Sequence, residues 1–197
     1  MKSDTIAAIA TALSDAGIGI IRISGPEAIA VANRVVVNKK KEHTLKNWQT
    51  HTIHYGFVEE NGTILDEVMV SVMKAPRSYT TEDTVEINCH GGVLLTKRVL
   101  EAVLHAGARM AEPGEFTKRA FLSGRIDLSE AEAVMDLIQA KNQFSMQASI
   151  KQLRGSVAEK VKSLRAALLY EIAFIESALD DPEHISVDGY GETLKKV

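Results

Sequence analysis

Several things are scarce in this 197-residue sequence, and each scarcity removes a class of protein. There is one cysteine, Cys89, so no disulfide can form within the chain and nothing points to secretion. Apolar runs are short, Val35 to Val37 being typical, against the ~20 residues a membrane helix needs. Met1-Lys2-Ser3-Asp4 lacks the apolar stretch of a signal peptide, so a cytoplasmic protein with no membrane partner is expected. Basic excess is missing too. Residues 1–120 carry 14 Lys and Arg against 14 Asp and Glu, and residues 121–197 carry 9 against 12. Neither half has the surplus by which a module grips nucleic acid through counterion release, so another part of an assembly would supply that attraction. The one basic run, Lys39-Lys40-Lys41, reads as a solvated loop. No Gly-x-x-x-x-Gly-Lys-Ser/Thr loop occurs, so nucleotide hydrolysis of that kind has no seat here.

What is present suffices for a core: 45% of residues are hydrophobic and 25% charged. The length suits one domain with an extension, or two small ones. The first 118 residues read as an α+β domain with a mixed or largely antiparallel sheet. Gly17 to Ser24 has the β-branched density of a buried strand. Ser24-Gly25-Pro26-Glu27 then resembles a capped helix start, with a helix to about Val36 burying Ile29, Ala32 and Val36. His51 to Glu59 and Ile64 to Lys74 read as a hairpin around Asn61-Gly62. Thr84 to Cys89 alternates, with Val85, Ile87 and Cys89 inward. His90-Gly91-Gly92 turns into a helix from Val93 to Ala106 that Gly107 closes.

From residue 119 the chain reads as the first part of a helical domain. No glycine lies between Gly124 and Gly155, and no proline between Pro113 and Pro182. Asp127 or Ser129 caps a helix expected through Asn142, with Ala131, Val134, Met135 and Ile138 as its buried stripe. Apolar residues then recur at Met146, Ile150, Leu153, Val157, Val161, Leu164, Leu168, Ile172, Ile175 and Leu179. This eleven-residue repeat gives ~3.67 residues per turn, which predicts one nearly straight rod of roughly 50 Å from Met146 to Leu179. The preceding helix is too short to cover that stripe. Either a second copy covers it, or further helices that the chain does not contain. Asp180-Asp181-Pro182 stops the rod, and Gly191 to Val197 looks like a helix cut off after two turns. The pattern favours a piece of a longer protein.

A few residues stand out chemically. Arg22 shares a strand face with Ile18, Ile20 and Ser24. It either snorkels to the sheet edge or offers a fixed fork to an anionic group. Glu86 lies mid-strand between Thr84 and Asn88 on the face away from the core. It is either a solvated acid or an acceptor for the paired N–H groups of a heterocycle. His90-Gly91-Gly92 is a tight connection, or a set of backbone N–H groups for an anion; Gly17-Ile18-Gly19 is a weaker version of the same idea. His51 and His54 point to opposite strand faces and make a poor metal pair, and Cys89 reads as core packing. In Glu112-Pro113-Gly114-Glu115-Phe116 through Asp127-Leu128, a helix entry, two core aromatics, a Gly124 stop and an acidic cap explain the breaks. They leave Arg125 unexplained in the turn.

That last stretch resembles the tRNA-modification GTPases of the MnmE (TrmE) family. The resemblance extends to Asp4-Thr5-Ile6-Ala7-Ala8, Gly17 to Gly25 and His90-Gly91-Gly92, and covers essentially the whole chain. It implies a folate-binding and dimerisation domain over 1–118 and the first part of a central helical domain over 119–197, ending before an inserted GTPase domain. The implied cofactor is a reduced folate, 5-formyl-tetrahydrofolate, with Glu86 on the pterin edge and Arg22 and Arg125 as basic contacts. Some members carry lysine at the Arg125 position, a point donor where arginine is a fork. The family's C-terminal Cys-x-Gly-Lys motif is absent, so no catalytic residue and no metal ligand is assigned within this chain. For the full-length protein the resemblance implies a homodimer that works with a flavin-dependent partner enzyme. It uses folate carbon to modify C5 of the tRNA wobble uridine, and GTP hydrolysis with potassium and magnesium drives it. Two other readings remain: a stand-alone folate-dependent aminomethyltransferase, and a dimerisation scaffold without ligand.

Overall fold

The computed structural model describes residues 4–184 and 190–191. They form two compact units, Met1–Ile126 and Asp127–Val197.

The first unit is built on a seven-stranded sheet. Its strands are β1 (Ile6–Ile9), β2 (Ala16–Ser24), β3 (Val36–Val37), β4 (Thr52–Glu60), β5 (Thr63–Met73), β6 (Thr84–Gly91) and β7 (Arg109–Met110). The order across the sheet is β3-β4-β5-β6-β2-β1-β7. Every neighbouring pair is antiparallel except β1 and β7, so the expected α+β class with a mixed sheet is what forms. Its helices are α1 (Ala28–Val35), α2 (Val93–His105) and α3 (Glu115–Leu122).

Alternation along the strands decides which side is core. Ile21, Ile23, Val68, Val70, Val72, Val85, Ile87 and Cys89 are buried in one cluster with Val31, Ala32 and Val35 of α1 and Val99 and Val103 of α2. Each such aliphatic side chain contributes roughly 1.5–3 kcal/mol on burial. The residues between them occupy the opposite, open face of the sheet. Arg22, Ile18, Glu86, Asn88, Met69 and Tyr55 all lie there. The hairpin forms as expected: Asn61 has φ 52° and Gly62 φ 80°, the left-handed pair that a tight turn between twisted strands requires.

The helix start after β2 differs from expectation. α1 begins at Ala28, and Glu27 occupies the cap position without a side-chain capping bond. Ser24 ends β2 instead. Its hydroxyl is drawn into a buried contact with Thr80 Oγ1 at 2.6 Å and donates to Glu82 Oε2 at 2.8 Å, which leaves nothing for the helix.

The second unit consists of α4 (Leu128–Gln139), α5 (Gln143–Leu153) and α6 (Ser156–Asp180). Asp127 caps α4 in a reciprocal box: Glu130 N–H donates to Asp127 and Asp127 N–H to Glu130 Oε2. α4 ends at Gln139 rather than Asn142, because Asn142 starts the next helix by accepting from Ser145 N–H at 2.8 Å. Its expected stripe holds only in part: Ala131 and Val134 are half-buried, but Met135 and Ile138 are exposed and Ala133 is the buried residue.

The single rod does not form. Arg154 closes α5 and Gly155 follows at φ 77°, the left-handed residue that commonly terminates a helix. Apolar spacing continues across this point because Leu153 and Val157 keep their phase, but the backbone does not. Of the ten stripe positions, Met146, Val157, Val161, Leu164, Leu168, Ile172 and Leu179 are 40–75% exposed. α6 stops at Asp180 before Pro182, as expected. Most of the helix expected over Gly191 to Val197 lies outside the described residues. Among the described residues no helix is long and apolar enough to cross a membrane.

Candidate functional site

Two of the three singled-out residues meet on the open face. β2 and β6 place Arg22 directly opposite Glu86, and Arg22 Nε donates to Glu86 Oε1 at 2.7 Å. Both side chains are partly exposed, 33% for Arg22 and 22% for Glu86, so the pair is neither sealed nor freely solvated. A cross-strand pair of this kind contributes roughly 0.2–1 kcal/mol, and its rigidity matters more than its strength. The guanidinium carbon of Arg22 also stands 5.6 Å from the centre of the Phe116 ring at the start of α3. Beside it lies a cleft of about 310 Å³ lined by Ala8, Ala10, Arg22, Pro113, Gly114 and Phe116 among others.

Arg125 is held elsewhere. Its Nη1 donates to the Tyr79 carbonyl at 3.3 Å, and its guanidinium stands 5.1 Å from the Tyr79 ring centre. Tyr79 is in turn bonded through its hydroxyl to Thr117 of α3 at 3.1 Å. Among the described residues no hydrogen bond or ion pair joins Arg125 to Arg22 or Glu86.

The main feature that sequence reasoning missed is the ionic network under α3. Glu115, 10% exposed, accepts from Arg109 Nη2 at 2.7 Å and from Arg119 Nη2 at 2.9 Å. It also accepts from Glu112 N–H at 2.8 Å. Arg109 and Arg119 both reach Asp4, at 2.6 and 2.9 Å, and Arg119 reaches Glu82 at 3.1 Å. The Arg109 guanidinium holds the Glu115 carboxyl down to about 2 against the cost of burial, and Arg109 likewise holds Asp4 to about 2. Glu115 and Arg119 sit four apart on one helix face, and that spacing was the only signal available in the sequence. The network ties the N-terminal segment, β7, α3 and the loop before β6 together. Thereby it fixes where Phe116 meets Arg22. Of the two expected core aromatics, Phe116 is half-buried in this role and Phe121 is 39% exposed.

The other candidates resolve plainly. At His90-Gly91-Gly92 the backbone N–H of His90 donates to Asp66 Oδ2 at 2.8 Å, so a carboxylate of the chain itself takes that donor. His90 Nδ1 pairs with the other Asp66 oxygen at 2.8 Å. His54 stacks on Trp48 with ring centres 3.9 Å apart, and His51 contacts Thr50. Cys89 is in the core, as expected, and burial pushes its thiol pKa up. Lys39, Lys40 and Lys41 are exposed, with Lys39 Nζ 5.3 Å from the Tyr55 ring centre.

Comparison with known proteins places this geometry in a family. Residues 5–125 match the family described as the GTP-binding protein TrmE N-terminus, and residues 128–197 match the MnmE helical domain. The boundary between the two matches falls where the two compact units divide. A tRNA modification GTPase MnmE from Lachnoclostridium phytofermentans is 58% identical over 195 residues, covering 99% of this chain and 43% of the relative. The protein of the same name from Listeria welshimeri is 52% identical over 188 residues, covering 95% and 40%. That from Streptococcus thermophilus is 52% identical over 185 residues, covering 94% and 40%. The chain therefore spans about two fifths of the length of the curated relatives it matches. With both of its units matched in order, this chain belongs to the TrmE/MnmE family and corresponds to the N-terminal part of MnmE.

Proposed function

We propose that the open face of the sheet holds a reduced folate, 5-formyl-tetrahydrofolate, with Arg22 and Glu86 as its anchor. The observation that carries the reading is the Arg22–Glu86 pair, fixed in register on two adjacent strands and partly open to solvent. One Glu86 oxygen takes the Arg22 N–H, and the carboxylate keeps further acceptor capacity for the N–H groups of a flat heterocycle. Strand-borne groups of this kind lose little freedom on binding. The residues present thus suit a pterin edge, and when bound the folate would supply a one-carbon unit. Arg22 would orient the ring through Glu86 and the Phe116 side would exclude water. Arg125 belongs to the same proposal as a second, outlying basic contact that would have to leave Tyr79.

In the full-length protein this folate would feed the carboxymethylaminomethyl-type modification of C5 of the tRNA wobble uridine. A homodimer joined through the first unit would do so with a flavin-dependent partner enzyme in the cytoplasm. GTP hydrolysis, with its potassium and magnesium, would reside outside these 197 residues, which contain no phosphate-binding loop. The supporting facts are the family membership and the names of the relatives, each a tRNA modification GTPase.

Calorimetric titration of this chain with 5-formyl-tetrahydrofolate, beside Glu86→Ala, tests the anchor. Saturable binding that the substitution abolishes is the expected result. A folded wild-type chain that ignores the ligand would overturn it and leave the scaffold reading.

A further inference from the structure

Two glutamates of the sheet unit pair with arginine, and they are loaded very differently. Glu86 accepts one N–H, from Arg22, and keeps acceptor capacity. Glu115 accepts four. Its Oε1 takes Arg109 Nη2 at 2.7 Å and Arg119 Nη2 at 2.9 Å, and its Oε2 takes Arg109 Nη1 at 3.2 Å and Glu112 N–H at 2.8 Å. Four donors fill the lone pairs of a carboxylate, so Glu115 has nothing left to offer a ligand.

What Glu115 holds is the first turn of α3. Gly114, at φ 74°, turns the chain into that helix. Glu115 N–H then donates to the Glu112 carbonyl at 3.0 Å while Glu112 N–H donates back to the Glu115 side chain, so residues 112–115 are closed from both ends. Phe116 is the next residue.

Arg109 ties this turn to the sheet. It lies on β7 beside Ile6 of β1, and two residues along β1 Ala8 lies beside Arg22 of β2. Arg109 and Arg22 are therefore registered to the same short strand. The two-pronged bond from Arg109 to Glu115 fixes direction as well as distance. With the turn so fixed, the Phe116 ring centre stands 5.6 Å from the Arg22 guanidinium, close enough to attract the cation. Among the described residues, the other hold on that guanidinium is its bond to Glu86.

We infer that Glu115 is a positioning residue for the Arg22–Glu86 anchor: through Arg109 it sets Phe116 against Arg22 and keeps the Arg22 Nε–H on Glu86, without touching ligand itself. The consequence for binding rests on the folate reading above. Without the Glu115 carboxylate the first turn of α3 relaxes and Phe116 withdraws. Arg22 then gains freedom that a ligand must remove on binding.

The test uses this chain with isotope-labelled arginine and two readouts. One is the Arg22 Nε–H magnetic resonance, which a ring this near displaces and which needs no ligand. The other is the Kd for 5-formyl-tetrahydrofolate by calorimetry. The variants are Glu115→Gln, Phe116→Leu, the two combined, and Arg109→Lys, which keeps the charge but lacks the fork. Circular dichroism checks that each is folded, and Arg109→Lys carries the test alone if Glu115→Gln does not fold. The expected result is that all variants move the Arg22 resonance in one direction and weaken folate binding about threefold to tenfold. The combined variant should bind no more weakly than Phe116→Leu, because Glu115 acts through Phe116. An unmoved resonance, an unchanged Kd or additive losses would overturn the positioning role. If the resonance moves as expected but the wild-type chain ignores the folate, the folate reading falls and the hold on Arg22 stands.

Discussion

The two units of this chain bury their apolar residues to very different extents. In the sheet unit, the apolar positions of β5, β6 and α2 close on one another, and Val70, Val85, Ile87 and Val99 have no measurable exposure. In the helical unit, α6 has a more regular apolar repeat than any strand has, yet Ala178 is its one buried residue. Periodicity therefore announces a face without announcing a partner. A sheet with two helices on it completes a core within one stretch of chain, while a lone 25-residue helix cannot.

That contrast can be broken by experiment, and the largest effect belongs to the core. Ile87→Ala should cost about 2–5 kcal/mol, read by urea unfolding followed through Trp48, the sole tryptophan, which packs against the sheet core. Glu115→Gln comes next. It leaves Arg109 and Arg119 facing an uncharged amide and should cost about 2 kcal/mol in the same assay. The pH dependence has a definite sign. Glu115 and Asp4 have folded-state pKa values of about 2, below ordinary values of 4.5 and 3.8. Their contribution is therefore complete above pH 4.5 and is lost as pH falls towards 2. Wild type should lose stability across that window more steeply than Glu115→Gln. Parallel curves would mean the network is not formed in solution.

Smaller effects probe the helical unit. Gly155→Ala puts a Cβ on a residue at φ 77° and should destabilise α5–α6 by about 1 kcal/mol, seen as a lower helical melting temperature. A rise instead would show that the two helices run on as one rod. Leu164→Ala, at a position 51% exposed, should change stability by less than about 0.5 kcal/mol. A cost approaching that of Ile87→Ala would mean that the stripe is covered in solution, and the contrast between the units would vanish.

Much of the fold was legible because its signals are local. The Asn61-Gly62 turn, the alternation of Val85, Ile87 and Cys89, the Asp127 cap and the stop before Pro182 each depend on a few neighbouring residues. Two of the misses share one cause. Ser24 looks like a helix cap until Thr80 and Glu82, more than fifty residues away, take its hydroxyl. Glu115 looks like an ordinary first-turn acid until Arg109 closes on it across β7, and Arg119 finds Asp4 across 115 residues of sequence. Gly155 is a different failure, in which side-chain phase concealed a backbone stop. In the candidate site, Arg22 and Glu86 were each conspicuous on their own strands, but their bond required the β2–β6 register.

By itself the amino-acid sequence determined the long strands and the α2 helix of the sheet unit, the inward face of β6, and the place of Arg22 and Glu86 on their strands. Those are consequences of propensity, period and turn chemistry within a few residues. Tertiary structure alone decided which charges pair, which glycine breaks a helix, and where the cleft opens beside the Arg22–Glu86 anchor. Hydrogen bonds and ion pairs act over about 3 Å, so their partners exist only once distant segments have been brought together.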